Sequence, residues 1–233
     1  MTAHIGIVAC SAPGAALCYE TICAQGCALL GSHAHPEISL HAFSFAEHVR
    51  LINCNDWPGV GELLLRSAEK LAKLGADFVI CPDNTAHLGL DYVRARSPIP
   101  WLHIADVVVK SARNAGFRRL AVLGTQALME SSLYSQRLRS AGIESCIPDA
   151  EERQSIDRII FTELVYGRIS EEACGALSAI IARLRDAEAC DAVILGCTEL
   201  PLIVTNDVSA LPVLDSTRLL ARMALERAVY AQS

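Results

Sequence analysis

Two short segments pair reactive side chains with a setting that would make them reactive. In Leu195-Gly196-Cys197-Thr198-Glu199, a thiol follows a glycine directly after an apolar run. Read as the first turn of a helix, that position lowers the pKa of a thiol and makes its thiolate a base or a nucleophile near neutral pH. The competing reading is a buried structural cysteine, the usual state of this residue. In Pro82-Asp83-Asn84-Thr85-Ala86-His87, a carboxylate follows another apolar run. Asp83 there is either an acid/base group or simply the cap of the turn that follows it. His87, four residues on, either orients the acid or is a polar residue of a first helical turn.

The elements that must position these groups alternate. Short β-branched runs occur at Ile5–Val8, Ile38–Phe43, Phe78–Ile80, Trp101–Ile104, Leu120–Leu123, Ala192–Leu195 and Val213–Leu214. Amphipathic stretches lie between them. Gly61–Leu74, for example, puts Leu63, Leu64, Ala68, Leu71 and Leu74 on one face. Lys73-Leu74-Gly75-Ala76-Asp77 reads as a helix end turning into a strand. Strand, helix, strand in repeated order predicts parallel βαβ units and an α/β fold.

The chain also repeats itself. Asp77 and Asp191 each open a strand that ends beside a reactive residue, and they lie 114 residues apart. Ile7 and Val122, in matching apolar runs, lie 115 apart, and Ile99-Pro100 and Leu211-Pro212 lie 112 apart. Three nearly equal offsets in one order predict two similar α/β domains with parallel sheets, related by a pseudo-twofold. The boundaries expected are 1–100 plus 212–233 for the first domain and 101–211 for the second. Ligands of open parallel sheets bind beyond the carboxyl ends of the strands. The expected active site is therefore the cleft between domains, with Asp83 and Cys197 presented from opposite sides and Ser11 and Thr125 lining it.

Composition excludes several classes. Of 233 residues, 52% are hydrophobic and 20% charged, which is ample for a packed core. The net charge of −6 and the pairing rather than clustering of arginines (Arg94/Arg96, Arg118/Arg119, Arg137/Arg139) speak against nucleic-acid binding. No run reaches the roughly 18 apolar residues of a membrane span, and the start lacks a basic, then apolar, signal pattern. The expectation is a soluble, cytoplasmic protein. The ten cysteines include no Cys-x-x-Cys pair and fit reduced thiols; Cys18, Cys23 and Cys27 read as a helix face rather than a zinc site. His33, His35, His41 and His48 do not form a metal pattern. Cys10, Cys81, Trp57 and Trp101 read as packing, and Glu151-Glu152 and Glu171-Glu172 as solvated helix starts.

The two segments together carry a resemblance. Pro82-Asp83-Asn84-Thr85-Ala86-His87 resembles the Pro-Cys-Asn-Thr-Ala-His motif of the cofactor-independent aspartate/glutamate racemase family, and Gly196-Cys197-Thr198-Glu199 matches its second signature unaltered. Ile5-Gly6-Ile7-Val8 with the loop to Pro13-Gly14, and Pro212-Val213-Leu214-Asp215, look like its opening and closing strands. The resemblance implies an amino-acid racemase or epimerase. One acid/base group takes the α-proton from one face, and a second returns a proton to the other. It implies no cofactor and no metal, a small amino acid or carboxylic acid as the molecule bound, and a homodimer. Consistent with this, the only lysines are Lys70, Lys73 and Lys110, and none lies in a Gly/Ser-rich loop suited to pyridoxal phosphate. Asp83 and Cys197 would then be catalytic, with Ser11, Asn84, Thr85, Thr125 and Thr198 holding the α-carboxylate and amino group.

The departures from the pattern carry information too. Asp83 replaces the family's first cysteine. A free carboxyl ionises near pH 3.9 and a thiol near 8.5, so the pair is chemically unequal. At neutral pH Asp83 is ionised unless burial raises it; if it is raised, Asp83 becomes the proton donor, which favours a directional reaction with Cys197 abstracting and Asp83 delivering. Tyr166 stands where many members carry a lysine thought to bind the distal carboxylate, which points to a neutral side chain or another small acid; Arg50 is a conceivable substitute anion partner. A single thiol facing a non-thiol also resembles the decarboxylases and cis–trans isomerases of the superfamily. A non-catalytic amino-acid-binding homologue is the remaining alternative.

Overall fold

The computed structural model describes residues 2–230. In chain order the elements are β1 (Ile5–Ala9), α1 (Ala12–Leu30), β2 (Ile38–Ala42), α2 (Phe45–Asn53), α3 (Trp57–Lys73), β3 (Phe78–Ile80), α4 (His87–Leu90), β4 (Trp101–Leu102), α5 (Ile104–Ala115), β5 (Arg119–Leu123), α6 (Gln126–Met129), α7 (Leu133–Ser140), β6 (Glu144–Cys146), α8 (Ala150–Thr162), α9 (Glu171–Asp186), β7 (Ala192–Leu195), β8 (Val213–Asp215) and α10 (Ser216–Tyr230). The described residues divide into two compact units, 2–107 with 217–230, and 108–216.

Each unit holds a four-stranded, wholly parallel sheet. The strand orders are β2-β1-β3-β4 and β6-β5-β7-β8. The two orders are the same topology used twice, as the internal offsets predict. β1, β3 and β4 take the places of β5, β7 and β8. In the first unit β1 alternates between two layers. Ile5, Ile7 and Ala9 face a core built with Cys18 and Ile22 of α1 and Leu220, Ala224 and Leu225 of α10. Val8 faces the opposite core, made with Leu64, Ala68 and Leu71 of α3. That period of two, apolar on both faces, is what a helix-covered parallel sheet requires. Trp101 is buried in this second core and Trp57 packs against it. In the second unit, Ala121 and Leu123 of β5 and Val193 and Leu195 of β7 pack against Ile156, Ile159 and Ile160 of α8 and Leu177 and Ile181 of α9.

Local signals set the ends of the helices. α3 begins at Asp56, whose side chain accepts the Gly59 amide, and ends just before Gly75, which takes the left-handed conformation at φ +90°. α8 carries a full capping box: Asp149 accepts the Glu152 amide and Glu152 accepts the Asp149 amide. α9 begins after the Ser170 cap with Glu171 and Glu172 in its first turn, as expected of these acidic pairs. One expectation needs correction. Cys18, Cys23 and Cys27 all lie on α1 but not on one face: Cys18 is buried, Cys23 half-buried and Cys27 exposed. Spacings of five and four turn a helix by about 500° and 400°, so the three cannot align. No helix among the described residues is long and apolar enough to cross a membrane.

Candidate active site

Four of the residues singled out in the sequence lie just past carboxyl ends of neighbouring strands. In the first unit Ser11 follows β1 and Asp83 follows β3, and these strands pair in parallel. In the second unit Thr125 follows β5 and Cys197 follows β7, which also pair. The carboxylate and the thiol therefore occupy equivalent positions of a repeated fold. This is the end of a parallel sheet at which side chains escape the ladder and reach a ligand.

In the first unit the chain turns immediately after β3. Asp83 is half-buried, and its Oδ1 accepts the Ala86 amide at 2.9 Å. His87, fully buried, donates from Nδ1 to the Asp83 carbonyl oxygen at 2.7 Å and accepts the Ile104 amide on Nε2 at 3.3 Å. The His103 ring meets it edge-on, with centroids 4.5 Å apart. Asn84 and Thr85 are buried in the same turn. Asp83 thus caps its own turn, and His87, the first residue of α4, pins that turn to the start of α5. Below the turn, the buried Cys10 and Cys81 thiols lie 3.7 Å apart. The hydrogen bond to Cys81, burial, and the charges of Cys81 and Asp83 push the Cys10 thiol well above its ordinary range. His48, buried beside Cys10, is a partner that the sequence left unassigned. Burial depresses its imidazole, but the neighbouring Cys10 and the Glu47 charge leave it raised overall.

In the second unit the turn after β7 is tight because glycine lines it. A Cβ on Gly196 would stand 2.4 Å from Leu128 Cδ2 and 3.0 Å from the Leu123 carbonyl oxygen. The Gly196 amide donates to that oxygen at 2.7 Å. Cys197, Thr198 and Glu199 follow, all buried. The Cys197 thiol donates to Glu199 Oε2 at 2.9 Å, and the Thr198 hydroxyl donates to the same oxygen at 2.7 Å. The expected helix start at Cys197 is not there. The residues form bends and then a single 3₁₀ turn, Leu200–Leu202, with Pro201 inside it. A helix-dipole basis for thiolate formation is therefore absent, and the group that faces the thiol is a carboxylate. Glu199, read in the sequence only as the last letter of a signature, is the neighbour that sequence reasoning missed.

The two hydroxyl residues outside these turns serve as caps. Ser11 Oγ accepts the Gly14 amide at 3.3 Å at the start of α1, and Thr125 Oγ1 accepts the Leu128 amide at 3.2 Å at the start of α6. Tyr166 is 70% exposed in a 3₁₀ turn, with the Arg168 guanidinium 5.5 Å over its ring. Arg50 is exposed in the last turn of α2. Among the described residues no group of three or more His, Cys, Asp or Glu side chains is arranged to hold a metal. Lys70 lies exposed against His41, with Nζ 2.9 Å from its Nε2.

Residues 9–224 match the model of the Asp/Glu/hydantoin racemase family. The broad-specificity amino-acid racemase RacX of Bacillus subtilis is 25% identical over 180 residues, covering 73% of each chain. Among solved structures, a protein of Yersinia pestis described as a candidate Asp/Glu racemase is 31% identical with a TM-score of 0.88, over 97% of this chain and 99% of that one. An aspartate racemase homologue of Pyrococcus horikoshii is 29% identical with a TM-score of 0.85, over 98% of this chain and 99% of that one.

Proposed function

The chain belongs to the Asp/Glu/hydantoin racemase family, and from that premise we propose that it is a cofactor-independent amino-acid racemase whose two acid/base groups are Asp83 and Cys197. The observation that carries this reading is the repeat. The carboxylate and the thiol follow matching strands, β3 and β7, of two sheets with one topology. Racemisation needs two such groups acting on opposite faces of one Cα. One breaks the Cα–H bond and keeps the proton, and the other adds a proton to the far face of the planar carbanion. Ser11, Asn84, Thr85, Thr125 and Thr198 are the groups proposed to hold the α-carboxylate and amino group, through backbone N–H groups and hydroxyls.

The pair is unequal, so the two directions differ in kcat, while kcat/KM stays equal because the two enantiomers have equal free energy. A thiolate is a competent base toward an α-carbon near neutral pH, and an ionised carboxylate is a weak one. The proposed step is proton removal by the Cys197 thiolate with delivery from Asp83 in its protonated, carboxylic acid form, which leaves a thiol and a carboxylate. Tyr166, in the position where many members carry a substrate-binding lysine, favours a substrate with a neutral side chain. The reading includes a cytoplasmic homodimer, whose mass light scattering in solution would measure.

The test is exchange in heavy water over a panel of L- and D-amino acids. The native protein is expected to place deuterium at Cα and to invert configuration. Cys197→Ala should lower exchange by about 10²–10⁴-fold, the usual contribution of a positioned acid/base group. Exchange that survives unchanged in Cys197→Ala refutes the mechanism. The presence of a thiol at only one of the two positions also favours a second reading, a decarboxylase or cis–trans isomerase of a small acid. Loss of carbon dioxide, or alkene isomerisation without Cα exchange, would identify it. Binding of amino acids without turnover would mark a non-catalytic homologue.

A further inference from the structure

Two thiols that the proposed reaction does not use lie beneath the Asp83 turn. Cys10 is the first residue past β1 and Cys81 the first past β3, and these strands pair in parallel. Both side chains enter the same core, with Val8, Val79 and the apolar face of α3. Their sulfurs are 3.7 Å apart, in van der Waals contact. A disulfide bond is about 2.05 Å long, so a bridge needs the sulfurs to close by only about 1.6 Å. Both residues lie outside the paired register of β1 with β3, so no ladder bond between these strands holds either one back. Cys10 keeps 4% exposure and Cys81 none, so only a small reagent enters, and it meets Cys10 first. His48, buried beside Cys10, leaves its Nδ1 without a hydrogen-bond partner. A buried imidazole with an open nitrogen can take a thiol proton.

We propose that Cys10 and Cys81 are an oxidative modification site, a thiol pair that hydrogen peroxide converts into an intramolecular disulfide. The steps balance. The Cys10 sulfur attacks one peroxide oxygen and the O–O bond breaks. The thiol proton passes through His48 to the departing hydroxide, which leaves as water, and Cys10 becomes a sulfenic acid. The Cys81 sulfur then attacks the Cys10 sulfur, the S–O bond breaks, and the S–S bond forms. The hydroxide released takes the Cys81 proton and leaves as a second water. Two thiols are oxidised and one peroxide is reduced to two waters. The hydrogen bond to Cys81, together with burial, holds the Cys10 thiol well above its ordinary range, so the reaction is slow. The bridge ties the segment before Ser11 to the segment before Asp83 and shifts the Asp83 turn. That consequence for turnover rests on the racemase reading; the bridge does not.

The test holds the native protein in millimolar hydrogen peroxide, blocks the remaining thiols in denaturant and reads the digest by mass spectrometry. The expected product is a peptide pair joined through Cys10 and Cys81, lighter by two hydrogen atoms than the separate thiol peptides and undone by dithiothreitol. In Cys81→Ser the resolving thiol is missing, so Cys10 should stop at the sulfenic acid and be trapped by dimedone. Recovery of Cys10 and Cys81 as unmodified thiols, or of Cys10 joined to another cysteine, overturns the proposal. His48→Gln removes the base and should slow the bridge by about tenfold or more. An equal rate overturns the part given to His48. Exchange at Cα is measured after peroxide in the native protein and in Cys81→Ser, so that damage to Cys197 is common to both. The native protein should lose about tenfold more exchange than the variant and regain that difference with dithiothreitol. Equal losses overturn the effect on the turn. The two readings fail separately. A bridge in a protein inert toward all amino acids removes the racemase and leaves the modification site. Racemisation without a bridge does the reverse.

Discussion

His87 joins the Asp83 turn to the start of α5 through both ring nitrogens, one on the Asp83 carbonyl at 2.7 Å and one on the Ile104 amide at 3.3 Å. The ring is fully buried. His87→Ala would leave a carbonyl and an amide without these partners and open a cavity. The expected cost is about 2–4 kcal/mol in urea unfolding. Exchange activity should fall as well, because the Asp83 turn loses its anchor. His87→Gln can remake one of the two bonds and should lose less of both. Native-like stability in His87→Ala would show that the anchor is dispensable.

Gly196 makes a similar prediction in the second unit. A Cβ there meets the far end of Leu128 at 2.4 Å and the Leu123 carbonyl at 3.0 Å. Gly196→Ala should cost about 1–3 kcal/mol, the range for overpacking a filled core. Since one obstacle is the tip of a side chain, Leu128→Ala should be less destabilising in the Gly196→Ala background than alone. A double-mutant cycle measures that coupling. Strict additivity would mean that the carbonyl contact sets the cost.

How far the sequence reveals this site follows from burial. β3 and β7 match their apolar runs residue for residue, Phe78–Ile80 and Ala192–Leu195, because a strand covered on both faces is β-branched and uninterrupted. β6, Glu144–Cys146, left no such trace, since it is a polar edge strand. The predicted strand at Trp101–Ile104 is shorter than read, for α5 begins at Ile104. The turn after Gly196 is illegible for another reason. Glycine before a polar trio reads as a helix start, yet Pro201 follows too soon and only one 3₁₀ turn forms. The contact of Glu199 with Cys197 has no periodic signature. It arises from a side chain that folds back two positions within a bend. Ser11 and Thr125 are the caps of α1 and α6, roles that the sequence analysis does not assign to them.

Alkaline pH should destabilise the protein through its buried thiols. Burial first, then the neighbouring Cys146, pushes Cys190 up to about 12 against the opposing effect of Arg119. Its ordinary value is 9.0, so above that pH the unfolded chain releases this proton while the folded chain keeps it. The contribution is complete below pH 9 and is lost as pH climbs toward about 12. Cys10 is raised in the same direction. Unfolding free energy measured from pH 8 to 11 should therefore decline, and Cys190→Ala should flatten the slope by up to one proton. An unchanged slope in that variant would rule out Cys190 as a source.

The inequality of Asp83 and Cys197 makes the most direct prediction about turnover. In Asp83→Cys the first unit would carry a thiol where the second already does, and the two faces of Cα would meet groups of like strength. On the proposed mechanism, initial exchange rates at saturating L or D substrate should converge in this variant and should differ by about tenfold or more in the native protein. Cys is shorter by one heavy atom and makes a poor cap for the Ala86 amide that Asp83 now accepts at 2.9 Å. A stability loss of about 1 kcal/mol should accompany the change, and it is measured separately by thermal melting. Asp83→Asn gives the complementary outcome. It can still cap the turn, but it has no acid to deliver a proton, so exchange by Cys197 should persist on one face while inversion of configuration stops. Inversion at the native rate in Asp83→Asn would remove Asp83 from the chemistry and leave it as the cap of its turn.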